Sequence, residues 1–303
     1  MKKIIDFHAH LGDILQNKNV TFKQNIRHGS YPDPFEDLEK SGFKKPESQS
    51  EEEHILSIFA GQYRVQEGTL QNLSIEMDNN NIAYSCVHPI LPNTSFEEYL
   101  AASKLEPRLI TFTSADYSLG IEEMCNKLKK DIVNGAKGLK IHQILQNVSL
   151  NEAKVREAVK VFGEKNLPIL VHCGVFTFYT PDQPYEDTPE YGDIKYIIEL
   201  VREFPDYTIV VAHGAEGDVE LLAREAKKPE NVFVDTSYCT SEYIQKSVHV
   251  LGENNVLFGT DFPFIRPKYG IKVCEEALAN DPAVLDKVFF KNAACILHLE
   301  DNF

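Results

Sequence analysis

Residues 138–174 read GLKIHQILQNVSLNEAKVREAVKVFGEKNLPILVHCG. Residues 138–142 and 169–173 are short, apolar, β-branched runs, and residues 151–165 between them have helical spacing closed off by Pro168. A strand, a helix and a second strand of the same kind form a crossover unit whose strands pair in parallel and are buried on both faces. Each strand carries a histidine near its carboxyl end, His142 in the first and His172 in the second.

The same rhythm extends in both directions. Further strands are predicted over residues 4–8, 83–88, 109–114, 208–213, 232–236 and 256–261, and further helices over 120–133, 192–204, 217–228, 241–251 and 271–279. Eight strands with helices between them predict an α/β protein built as a distorted (β/α)8 TIM barrel, the doubly wound open sheet being the alternative. The 303 residues fit one domain, 1–303, because such barrels use 250 residues or more. One connection is far too long for a βα loop and its helix: residues 12–80 form an insertion after the first strand. It carries Pro32, Pro34, Pro46 and a polar run over 47–53, followed by helical spacing at Ile55, Leu56, Phe59, Tyr63, Leu70, Leu73 and Met77. A lid over the barrel mouth is the expected role.

Composition narrows the partners. Lys and Arg number 31 against 46 Asp and Glu, a net charge of −15 that repels phosphate backbones and anionic membranes. Six scattered cysteines without a C-x-x-C pair suggest neither a disulfide framework nor a zinc ribbon, and the N-terminus lacks the apolar core of a signal peptide. A cytoplasmic protein is expected, acting on a small molecule and at most pairing as a homodimer, with no nucleic-acid or membrane partner.

The chemistry collects at strand ends. Of ten histidines, six (His8, His10, His88, His142, His172 and His213) sit there, the end at which barrel enzymes assemble their sites. Six imidazoles on one rim are electrostatically awkward without a cation to share. His8 and His10, one residue apart in DFHAH, face the same side of their strand and can chelate one ion. His172 and Asp261, each at a strand end followed by turn residues, are the expected further ligands.

The motifs DFHAH, GLKIH, LVHCG, VVAHG and FGTDFP in this order, with KNAACIL near the end, resemble the amidohydrolase superfamily. Their arrangement is most similar to the amidohydrolase-related branch that includes aminocarboxymuconate-semialdehyde decarboxylase, resorcylate-type decarboxylases and a pyrone-dicarboxylate lactonase. The resemblance implies one divalent metal on His8, His10, His172 and Asp261, with His213 beside the water it activates. Zn2+ is the first expectation and Mn2+ or Fe2+ the alternatives. Superfamily members with two metals bridge them by a carbamylated lysine, for which Lys140 is the candidate; an unmodified Lys140 paired with an interior carboxylate such as Asp6 is preferred.

The expected activity is metal-dependent hydrolysis of a C–O or C–N bond in a small carboxylated lactone, ester or amide. Asp261 manages the proton and His213 polarises the substrate oxygen. Alternatives are non-oxidative decarboxylation of an aromatic or unsaturated acid, and a metal-bound barrel without turnover that serves for binding. His88, His142, Arg64 and Arg266 are the candidate groups for the substrate anion, and Tyr238 is a candidate pocket wall. A thiol nucleophile at Cys86 or Cys173 is the weakest rival, because no cysteine-hydrolase signature surrounds either.

Overall fold

The computed structural model of the protein describes residues 3–16, 18–24, 32–45 and 48–299. Strand β1 (Ile4–Ala9) is followed by the insertion, with helices α1 (Pro34–Lys40), α2 (Glu51–Arg64) and α3 (Leu70–Asn80). Then come β2 (Ile82–Val87), α4 (Phe96–Leu105), β3 (Leu109–Thr111), β4 (Thr113–Ser114), α5 (Ile121–Val133), β5 (Leu139–Ile141) and α6 (Ala153–Gly163). The chain continues through β6 (Ile169–Val171), α7 (Ile194–Glu203), β7 (Ile209–Val211), α8 (Val219–Glu225), β8 (Val232–Asp235), α9 (Ser241–Leu251), β9 (Val256–Leu257) and α10 (Pro267–Ala277). Two short helices, α11 (Pro282–Asp286) and α12 (Asn292–Ile296), close it.

Every strand pair is parallel, in the order β1-β2-β3 and β4-β5-β6-β7-β8-β9. The predicted strand over 109–114 is therefore interrupted at Phe112. There the chain changes partners: Phe112 N donates to Val87 O at 3.0 Å, and Thr113 N donates to Gly138 O at 2.9 Å. At the other seam Phe7 N donates to Phe258 O at 2.8 Å, and Ala9 bridges Phe262 in parallel. The last strand thus returns to the first, and the fold is an α/β barrel.

Alternation along the strands explains both cores. Ile169, Val171, Ile209, Val211, Val232 and Val234 face the helices, whereas Leu170, Val210 and Phe233 fill the barrel interior with Ile5, Phe7 and Phe112. Lys140 pairs with Leu170 in this interior row and is completely buried. The pairing of β1 with β2 is irregular between Asp6 and Ala9, and parity changes there, with Phe7 in the interior core and Ala9 in the outer one. That irregularity lets His8 and His10 follow the inward Phe7 and still face the mouth.

The insertion differs from its expected pattern. Part of the polar run over 47–53 is a helix start: Ser50 and Glu53 form a reciprocal capping box, with three glutamates in the first turn of α2. Pro46 and Glu47 lie outside the described residues. Ile55, Leu56, Phe59 and Tyr63, read from their helical spacing, are exposed, and α2 buries Ser57, Ile58, Ala60, Gly61, Gln62 and Arg64. The helical spacing is also split, because the chain leaves α2 through a 3-10 turn (Val65–Glu67) and Gly68 before α3. Gly68 O accepts from Gly12 N at 2.6 Å, and a Cβ at Gly68 would come within 3.2 Å of Gly12 O. Among the described residues no helix is long and apolar enough to cross a membrane.

Candidate metal centre and active site

Strand ends and insertion enclose a cavity of about 840 Å³ at the barrel mouth. Its floor holds His8, His10, Lys140, His142, His172, His213 and Asp261; its walls include Phe35, Phe176, Phe178, Tyr238 and Phe264. Three of the four expected ligands converge. Asp261 Oδ1 lies 3.3 Å from His8 Nε2 and 3.1 Å from His10 Nε2. Donors about 2.0–2.1 Å from a tetrahedral ion stand about 3.3 Å apart, so these spacings suit one divalent metal.

Proton positions support that fit. His10 Nδ1 is 2.6 Å from the His88 carbonyl oxygen, which can only accept, so Nδ1 carries a hydrogen and Nε2 is the nitrogen that offers a lone pair to a metal. His8 Nδ1 lies 2.8 Å from Asp235 Oδ2, and burial holds His8 well below the usual histidine range, leaving its Nε2 bare as well. Two lone pairs and a carboxylate oxygen pointing at one spot call for a cation. Lys140 Nζ, 3.0 Å from His8 Nε2, competes for the same lone pair. Burial lowers Lys140 to about 8, with Asp261 and Asp235 opposing the shift. Lys140 does not pair with Asp6, whose carboxylate is taken up by Thr260 N at 3.0 Å, Thr260 Oγ1 at 2.6 Å and His8 N at 3.2 Å.

His172 stands apart from this cluster. Its Nδ1 is 3.1 Å from His213 Nε2, and its ring stacks on His142 with centroids 4.0 Å apart. Among the described residues it joins no group of metal-capable atoms, whereas His8, His10 and Asp261 form one and His8, His213 and Asp235 another. Asp235 Oδ1 accepts from the Ser237 hydroxyl, which is 2.8 Å from His213 Nδ1. His172 Nε2 lies 3.2 Å from the Gly174 carbonyl oxygen, and ligation through His172 Nδ1 requires releasing His213. Burial keeps His142, His172 and His213 neutral at pH 7, His172 reaching about 3. Asp235 and Ser237 were not anticipated; the available signal was an aspartate ending the strand of VFVDTS, the same placement as Asp261.

The remaining candidates divide. His142 and Tyr238 line the cavity. His88 lies beneath the floor, with Nε2 2.7 Å from Phe7 O and its ring against Phe112. Arg64 is 2% exposed and its charge is already matched, Nη1 lying 2.9 Å from Glu39 and Nη2 2.9 Å from Asp33. Arg266 faces Glu39 at 3.4 Å. Neither arginine borders the cavity; the lysines that do, besides Lys140, are Lys44 and Lys45, and Lys45 pairs with Glu216 at 2.7 Å. Cys86 and Cys173 are buried and their thiols pushed well above the usual range, which opposes a thiolate nucleophile.

Backbone strain gathers at the same place. His213, Tyr238 and Asp261 all have φ of 58°. For residues with a Cβ this costs on the order of 1–3 kcal/mol each and persists only where surroundings enforce it.

Burial also raises Asp6 from 3.8 to about 7, the Thr260 hydroxyl opposing. The folded state then holds a proton that the unfolded state has lost between these values. Asp6 therefore contributes most below pH 4, and that contribution is lost as pH rises through 7, up to about 4 kcal/mol. Asp6→Asn is expected to flatten this slope, measured as the variant-minus-wild-type difference in urea unfolding free energy at pH 5 and pH 8. An unchanged difference rejects the assignment.

Comparison with known proteins bears on the fold and the family. Among curated proteins none matches the sequence significantly. The chain is similar in fold to an uncharacterised TIM-barrel protein from Bordetella bronchiseptica, at 15% identity and a TM-score of 0.66 over 99% of this chain and 100% of that one. It is similar to a dihydroxybenzoic acid decarboxylase from Polaromonas with bound manganese and 2-nitroresorcinol, at 14% identity and 0.69, covering 99% and 98%. It is also similar to a probable 2-pyrone-4,6-dicarboxylic acid hydrolase from Acinetobacter baumannii, at 13% identity and 0.60, covering 98% and 100%. The family model described as amidohydrolase matches residues 5–299, nearly the whole chain, and the protein belongs to the amidohydrolase family.

Proposed function

We propose that this protein is a metal-dependent hydrolase cleaving a C–O or C–N bond of a small carboxylated lactone, ester or amide. The observation that carries the proposal is the convergence of His8 Nε2, His10 Nε2 and Asp261 Oδ1 on the floor of a walled cavity. His8, His10 and Asp261 would hold a divalent ion, which would supply Lewis acidity and lower the pKa of a water toward neutrality. Asp261 takes the proton from the attacking water and returns it to the leaving group. His213, neutral and beside Tyr238 with ring centroids 5.3 Å apart, hydrogen-bonds the substrate oxygen through Nε2 when the substrate displaces His172 from it. His142 and Tyr238 bound the substrate, while Phe35, Phe176, Phe178 and Phe264 exclude water from the reacting bond. An imidazole-rich set with one carboxylate suits zinc first, then manganese or iron(II). Six free cysteines accord with the reducing cytoplasm.

The aromatic wall favours a second reading, decarboxylation of an aromatic or unsaturated acid. Asp261 and His213 would then deliver a proton to the carbon that loses carbon dioxide. A product-resolved screen of zinc- and manganese-loaded protein on lactones, esters, amides and hydroxybenzoates separates the readings. Hydrolysis products support the first, released carbon dioxide replaces it with the second, and no turnover leaves a binding protein. Elemental analysis after dialysis without chelator is expected to find about one divalent ion per chain, and less than about half rejects the metal centre.

A further inference from the structure

Asp261 occupies a left-handed backbone that its neighbours must enforce from both sides. On the amino side Asp261 N donates to His8 O at 2.6 Å, and Thr260 is held by Asp6. On the carboxyl side Phe264 N donates to Asp261 O at 3.0 Å, closing a turn. The polar groups this turn presents outward are taken up by the insertion. Arg64 Nη1 donates to Phe264 O, and Glu39 Oε1 accepts from Arg266 N at 2.7 Å. Glu39 and Arg64 are themselves joined by two bonds, 2.9 and 3.1 Å, both side chains being almost completely buried. A planar guanidinium matched to a carboxylate fixes orientation as well as distance. Asp33 also accepts from Arg64, at 2.9 and 3.1 Å, but its own approach to Arg266 is a loose 3.9 Å.

We infer that Glu39 and Arg64 are positioning residues for Asp261: the insertion is a fixed bracket on the turn that aims this carboxylate, and the metal centre is incomplete without it. Two further tethers agree with a docked element. Gln62 Nε2 donates to Phe178 O and to Gln183 Oε1, both at 2.8 Å, and Lys45 meets Glu216. The inference rests on Asp261 as a metal ligand.

Glu39→Gln and Asp33→Asn each weaken a carboxylate partner of Arg64, and only the first bonds the backbone of the turn. Mn2+ affinity, followed through the spin-resonance signal of the free ion, is measured on each folded protein together with amide exchange over residues 261–266. Glu39→Gln is expected to weaken Mn2+ binding about tenfold or more and to speed exchange at Phe264 and Arg266. Asp33→Asn is expected to stay within about twofold of wild type in both. Equal weakening by the two variants, or wild-type affinity and exchange in Glu39→Gln, overturns the bracket. Should Glu39→Gln fail to fold, Arg64→Lys keeps the charge without the fork and carries the same expectation. A wild type that binds no Mn2+ defeats the metal centre instead, and the exchange measurement still decides the bracket.

Discussion

Replacing His8 and His10 together by alanine is expected to reduce metal retained after dialysis from about one equivalent to under about a tenth, with the barrel still folded. The two rings supply both imidazole donors of the converging group, and among the described residues no other His, Cys, Asp or Glu joins them and Asp261 in it. Their other nitrogens are committed to Asp235 and to the His88 carbonyl, so the donors are oriented before any ion arrives. With the rings gone, the Lys140 ammonium offers Asp261 charge but no coordination. The measurement is elemental analysis alongside the circular dichroism melting curve. Full metal content in a folded double variant shows that the ion sits elsewhere.

His213→Ala is expected to keep the metal and to lose about 10²- to 10⁴-fold in kcat/KM on whichever substrate the screen identifies. Its nitrogens meet Ser237 and His172, and its ring lies against His8 with centroids 5.3 Å apart without joining the His8–His10–Asp261 group. Removing it deletes the group placed to bond the substrate oxygen and leaves the converging donors intact. Alanine at a φ of 58° adds little strain beyond what histidine already bears. Metal content and rate are read on the same preparation. If metal disappears with the ring, the second group, of His8, His213 and Asp235, is the true centre and the division of roles is reversed.

The legible parts of the molecule were those written in local periodicity. Helices predicted over 120–133 and 241–251 match Ile121–Val133 and Ser241–Leu251 almost residue for residue, because an amphipathic helix declares its buried face through spacing alone. His8, His10 and Asp261 were legible because strand ends in this fold point at one place. Asp235 went unread although it ends a strand as Asp261 does, because its strand-end placement does not say what it meets; its partner His8 is more than two hundred residues away. Arg64 and Arg266 were legible as cations but not as paired ones. Their partners Asp33, which caps a helix, and Glu39, within it, dock in a way no period reveals.

The chain's own pattern of short β-branched runs and helical intervals determined the barrel and the rim on which the histidines gather, since both follow from periods of two and 3.6 residues repeated along the polymer. Tertiary structure alone decided which nitrogen of each imidazole is bare, that His172 turns to His213, and that a distant insertion braces the Asp261 turn. The reason is physical: a ring's tautomer and a carboxylate's aim are set by acceptors and donors from other strands and loops, and packing brings those together without any trace in local spacing.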